Sequence, residues 1–122
     1  MNILMATSEA VPFAKTGGLG DVCGALPLEL ARLGHQVAVI LPFYRRVRDS
    51  RVHAESLGID FIVPVGSKTV TGHLLAARLP QSDVPVYLVQ QDQYYDRDGL
   101  YGENGGDYED NCERFTFFSR AA

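Results

Sequence analysis

The run Lys15, Thr16, Gly17, Gly18, Leu19, Gly20 and Asp21 sets a cation, adjacent glycines and a carboxylate within a few residues of one another. Adjacent glycines let the backbone approach a ligand with no Cβ in the way, and free N–H groups at a helix start favour an anion. A phosphate or diphosphate is the natural guest, and Lys15 stands where a mobile ammonium reaches phosphate oxygens as a point charge. A plainer reading has Lys15 as a solvated surface cation, the glycines as turn formers, and Asp21 as a complement to the helix dipole.

Other constellations point elsewhere. Gly18, Gly20 and Gly24 spell GxGxxxG, but roughly ten residues separate Thr7 from Gly18, whereas a dinucleotide turn follows its strand almost at once. No acid stands at the end of the second apolar run to hold a ribose; Pro42, Phe43 and Tyr44 stand there, followed by Arg45 and Arg46. Asp110, Asn111 and Arg114 suit capping and local pairing at a helix start. His35, His53 and His73 lack ligand-like spacing to Asp, Glu or Cys, so no metal site is expected. Cys23 and Cys112 are read as reduced thiols.

The elements that must position the glycine run follow from hydropathy. Asn2–Thr7 is a short apolar run suited to a buried parallel strand. Pro12, Gly17 and Gly18 discourage regular structure after it. Leu19, Val22, Cys23, Leu26, Leu30 and Leu33 share one helical face, which predicts a core-facing helix over 19–33 with Gly34 as its stop and a bend near Ala25 caused by Pro27. Gln36–Leu41 supplies a second strand and completes a βαβ unit. Three short strands are expected over 59–65, 69–79 and 84–89, with a hairpin turn at Val65–Lys68. Gln91–Asp107 reads as a long loop, and Cys112, Phe115 and Phe118 predict a final helix over 110–122.

The chain has 122 residues, 46% hydrophobic and 21% charged, which is enough for one core. Its 11 Lys and Arg against 15 Asp and Glu leave a net charge of -4, a balance that disfavours nucleic acid and anionic membrane surfaces. The opening MNILMATSEA has neither a basic region nor a long apolar core for export, so a cytoplasmic protein is expected. A doubly wound domain continues with a strand after its helix, and the final helix leads to the expectation that more chain belongs to this domain.

SEAVPFAKTGGLGDVCGALPLELARLGHQVAVILPFY resembles the opening of glycogen and starch synthases, the family 5 glycosyltransferases, with their KxGGL loop, following Asp, GALP helix, GH, and a strand ending in LP. YYDRDGLYG and DYEDNCERFTFFSRAA are similar to the family's aromatic, DR, GxYG and DNxxRFxxF segments. The resemblance implies an α/β fold: the Rossmann-like N-terminal domain of a two-domain GT-B glycosyltransferase, with residues 1–122 its first part and the C-terminal domain absent. It implies transfer of glucose from ADP-glucose to the non-reducing end of an α-1,4-glucan, with retention and with no cofactor or metal ion. By the same carry-over Lys15 contacts the donor phosphates, Gly17 and Gly18 make room and offer backbone donors, Asp21 shapes the cleft as the catalytic candidate, and Tyr95 lies near the donor or serves packing. Further catalytic positions of the family lie outside these residues, so the 122-residue chain alone is expected to be inactive. The rival readings are a non-catalytic module binding nucleotide or glucan, and another GT-B transferase of the sucrose or trehalose type.

Overall fold

Apolar, β-branched runs at the two ends of the first unit pair as parallel strands: Ile3 lies opposite Val37 and Met5 opposite Val39. A computed structural model describes all residues, Met1–Ala122. In chain order the elements are β1 (Asn2–Ala6), α1 (Gly18–Arg32), β2 (Gln36–Pro42), α2 (Arg45–Arg48), β3 (Glu55–Val65), β4 (Lys68–Arg78), β5 (Pro85–Gln90), α3 (Asp92–Tyr95), β6 (Gly102–Glu103), β7 (Gly106–Asp107) and α4 (Asn111–Ala121). One sheet has the order β1-β2-β5-β4-β3. β1, β2 and β5 are parallel; β4 runs antiparallel to β5, and β3, antiparallel to β4, returns to the direction of the parallel strands. The hairpin closes through Gly66 and Ser67, with Gly66 at a φ of 61° that suits a residue without a Cβ. β4 keeps its expected length one residue earlier, while β3 runs longer than expected, because its pairing continues past a register shift between Ser56 and Ile59 to Glu55.

Val39, Leu41, Val86, Leu88 and Val89 form the fully buried centre of the sheet. Tyr44, Val47 and Phe13 cover one part of it, and α4 closes another through Phe117 and Phe118. Phe117 lies parallel to Phe61 of β3, with ring centroids 6.2 Å apart. No helix is long and apolar enough to cross a membrane.

α1 forms where the spacing places it, runs unbroken through Pro27, and ends before Gly34, which adopts a φ of 94°. Its orientation corrects the expected core face. Leu19, Val22, Leu26 and Leu33 are 49%, 56%, 42% and 67% exposed, whereas Gly20, Cys23, Gly24 and Pro27 are buried. The reason is backbone proximity. Val11 N–H donates to Gly20 O at 3.0 Å, and a Cβ on Gly24 would stand 2.3 Å from Val11 Cγ2. Small residues let the helix settle onto the preceding loop, and that contact outranks the leucine stripe in setting its rotation.

The stretch expected as a structureless loop is built. Gln91 caps α3 by accepting from Gln93 N–H, β6 pairs with β7, and Tyr94, Tyr95 and Leu100 are buried.

Candidate functional site at the glycine loop

The loop between β1 and α1 leaves the carboxyl end of a parallel strand, where open α/β sheets bind ligands. Its first half is a tight turn. Ala10 N–H and Ala14 O are 3.0 Å apart, and Ala10, Phe13 and Ala14 are buried. Its second half, Lys15–Gly18, is exposed. Gly17 is the N-cap of α1 in an extended conformation, and no side chain caps the helix. The first N–H groups of an α-helix lack intrahelical acceptors, so those of Gly18 and Leu19 remain available to a ligand. Nothing lies within 4 Å of the place a Cβ would occupy on Gly17 or Gly18. The space the sequence reading assigns to a ligand is open.

Lys15 Nζ is 2.9 Å from Asp21 Oδ1, one turn into α1, and both side chains are about half exposed. Arg46 of α2 donates to Lys15 O at 3.0 Å, placing a second cation beside the loop. Lys15, Gly17, Gly18 and Asp21 are therefore brought together around one opening. Arg46 was legible only as a basic residue after β2; its approach to Lys15 depends on the turn of α2.

Below the opening lies Glu9, 4% exposed. Its Oε1 accepts from the N–H groups of Thr16 (2.6 Å) and Gly17 (3.2 Å), and its Oε2 accepts from the hydroxyls of Thr16 (2.7 Å) and Tyr101 (2.5 Å). Burial pushes the Glu9 carboxyl up, but these hydrogen bonds outweigh it and hold the group below the usual glutamate range. Two of the loop's amides, Thr16 N–H and Gly17 N–H, are thus committed to Glu9 and not to a ligand. Glu9 and Tyr101 both lie inside the sequence blocks that carry the family resemblance, yet only folding shows that they meet.

Tyr95 is not brought to this opening. It is fully buried, its hydroxyl donates to Arg114 O at 2.7 Å, and its ring meets Tyr44 edge-on with centroids 5.8 Å apart. The packing alternative is the one this geometry displays. Asp110, Asn111 and Arg114 are structural as expected, but not through local capping. Asp110 caps nothing with its side chain and instead takes both arms of Arg97 at 2.7 and 2.6 Å. Arg114 is fully buried, donating to Tyr94 O, Leu100 O and Asn111 Oδ1. Gly24, third in the GxGxxxG spacing, lies under Val11 and away from the opening, so its place is explained by packing.

A cleft of about 730 Å³ lined by Leu28, His35, Val37 and Pro85 opens at the amino ends of β1, β2 and β5. That is the end of a parallel sheet opposite to the one where ligands bind, so its apolar lining is read as packing surface.

The sequence model of the starch synthase catalytic domain matches residues 2–122. The chain belongs to this family. It is 56% identical over 120 residues to a glycogen synthase of Syntrophotalea carbinolica, covering 98% of this chain and 24% of that protein. It is 47% identical over 131 residues to a glycogen synthase of Rhodopirellula baltica, covering all of this chain and 26% of that protein. Among solved structures, the catalytic domain of starch synthase IV from Arabidopsis thaliana, bound to ADP and acarbose, superposes with a TM-score of 0.83 at 31% identity over 98% of this chain and 24% of that one. The chain thus spans about a quarter of the length of these starch and glycogen synthases. The likeness bears out the expected family and its α/β, GT-B-type fold.

Proposed function

We propose that the protein carrying this sequence transfers glucose from ADP-glucose to the non-reducing end of an α-1,4-glucan with retention, and that these residues supply the diphosphate side of its donor site. The observation that carries this reading is the open glycine loop: Gly17 and Gly18 with free space above them, an uncapped α1 N-terminus, and Lys15 at its mouth. In an open sheet this corner receives phosphate, and a positive ammonium beside it stabilises charge as a diphosphate departs. Membership of the starch synthase catalytic domain family supports the donor and acceptor classes, as does a structural neighbour bound to ADP and acarbose.

Lys15 neutralises the leaving diphosphate, Gly18 and Leu19 donate backbone N–H groups, and Asp21 faces the cleft beside Lys15. Lys15 must exchange its partner, from the Asp21 carboxylate to phosphate oxygens, when the donor arrives. Tyr95 enters the proposal as support of the neighbouring segment. The chain spans about a quarter of the length of its relatives, and further catalytic positions of the family lie outside it, so the 122-residue chain alone is predicted to be inactive.

The test is ADP-glucose-dependent transfer to glycogen by the full-length protein, with Lys15→Ala beside wild type. Loss of one charge-stabilising contact should cut transfer about 10²–10³-fold. An equally active mutant removes Lys15 from the reaction; a wild type that transfers from no nucleotide-glucose removes the synthase reading. Elongation by the 122-residue chain alone would overturn its predicted inactivity.

A further inference from the structure

A buried carboxylate held only by neutral donors, directly beneath a loop built for an anion, calls for an explanation. An acid there adds repulsion toward a diphosphate, and a simple anchor for two amides could be a serine or an asparagine. What a carboxylate adds is acceptor capacity: two oxygens with about four lone-pair sites and no donor of its own. Glu9 uses that capacity on Thr16 N–H, the Thr16 hydroxyl, Gly17 N–H and the Tyr101 hydroxyl. Thr16 is thereby gripped at backbone and side chain, leaving the residues on either side, Lys15 and Gly17, little freedom to rotate. Tyr101 in turn accepts from or donates to Ser8 Oγ at 2.7 Å, and with its proton on Glu9 it accepts. The segment after α3 is so tied to the loop after β1, more than ninety residues apart in sequence.

We infer that Glu9 is the positioning residue of the glycine loop: with Tyr101 it holds Thr16 and Gly17 so that Lys15 and the N–H groups of Gly18 and Leu19 face a nucleoside diphosphate. This rests on the donor-site reading above. Glu9 does not touch the ligand; it removes, before binding, the disorder that a glycine-rich loop would otherwise lose on binding.

The chemistry of the two oxygens sets a graded series. Glu9→Ala removes all four bonds. Glu9→Gln keeps an oxygen for the two amides but replaces the oxygen that accepts from Thr16 and Tyr101 with an NH₂ group. Tyr101→Phe removes one of the four bonds to Glu9, together with the Tyr101 hydroxyl's bond to Ser8 Oγ. The measurement is calorimetric binding of ADP, and separately of a maltooligosaccharide, to the full-length protein and the three variants, with thermal melting of each. Expected is a loss of ADP affinity of about tenfold or more for Glu9→Ala, less for Glu9→Gln and least for Tyr101→Phe, with oligosaccharide affinity within about twofold of wild type, as preorganisation of one loop requires. Should Glu9→Ala fail to fold, Glu9→Gln and Tyr101→Phe carry the test. Variants that bind ADP like wild type overturn the inference and leave the donor-site reading standing. Equal losses for ADP and oligosaccharide, following the melting temperature, also overturn it, since Glu9 is then a general anchor. A wild type that binds no ADP overturns the donor-site reading itself.

Discussion

Lys15 Nζ and Asp21 Oδ1 stand 2.9 Å apart at the mouth of the glycine loop, each about half exposed. An exposed pair of this kind contributes little to stability, about 0–1 kcal/mol. It does hold the ammonium at the loop, which is where the proposed donor site needs it before a phosphate arrives.

Asp21→Ala should therefore separate activity from stability. Glucosyl transfer by the full-length protein is expected to fall about tenfold or more, an effect of the size seen for a charged group near a reacting centre, while the melting temperature stays within about 2 °C. Steady-state kinetics beside differential scanning fluorimetry decide it; unchanged kcat/KM would return Asp21 to the role of a helix-dipole partner.

Gly24→Ala tests the contact that rotates α1. The new methyl would meet Val11 Cγ2 at 2.3 Å and Val11 O at 2.7 Å, so the helix must back away from the loop. Overpacking of this kind costs about 1–3 kcal/mol. Urea unfolding midpoints of the two proteins measure it. Because Val11 N–H is bonded to Gly20 O, the shift should also raise KM for the donor.

Tyr95→Phe removes a buried hydrogen bond to Arg114 O and nothing at the glycine loop. A loss of about 1 kcal/mol in stability is expected, with donor KM within about twofold of wild type. A tenfold rise in KM at unchanged stability would show that the Tyr95 hydroxyl reaches the donor after all.

Dependence on pH follows from groups displaced in opposite directions. Hydrogen bonds to Arg97 hold Asp110 below the usual aspartate range, and Glu9 is held low by its four donors against the effect of burial. Their contribution is complete above the unfolded carboxylate range, near pH 4, and is lost as pH falls through the lower folded values. Burial, then the bond to Glu9, pushes Tyr101 up to about 12; burial, then the bond to Glu113, pushes Tyr94 up to about 12. Their contribution is complete below the unfolded value near 10 and is lost as pH rises toward 12. A melting-temperature profile should be flat between about pH 5 and 9 and fall on both sides. Tyr101→Phe should flatten the alkaline limb, and Glu9→Gln the acid one.

Hydropathy and spacing made much of this legible. Apolar runs placed β1, β2 and the later strands within a few residues, since a buried parallel strand has no need of polar alternation. Gly66 announced the hairpin, and the glycine run announced the open, uncapped start of α1, because both depend on local backbone freedom. Residues 91–107 were opaque for the opposite reason. Their order comes from Tyr94, Tyr95 and Leu100 packing into a core assembled from distant strands, and from Arg97 meeting Asp110.

The sequence by itself determined the family, the order of the long strands with α1 and α4, and the identity of the loop that carries Lys15, Gly17, Gly18 and Asp21, because each is written in consecutive residues. The tertiary structure alone decided which face of α1 is buried, that Tyr95 points inward, and that Glu9 lies under the loop with Tyr101 on its other oxygen. The physical reason is the same in each case. Helical spacing shows that a face exists but not what will press against it, and a carboxylate's partners are set by where the chain returns, not by its neighbours in sequence.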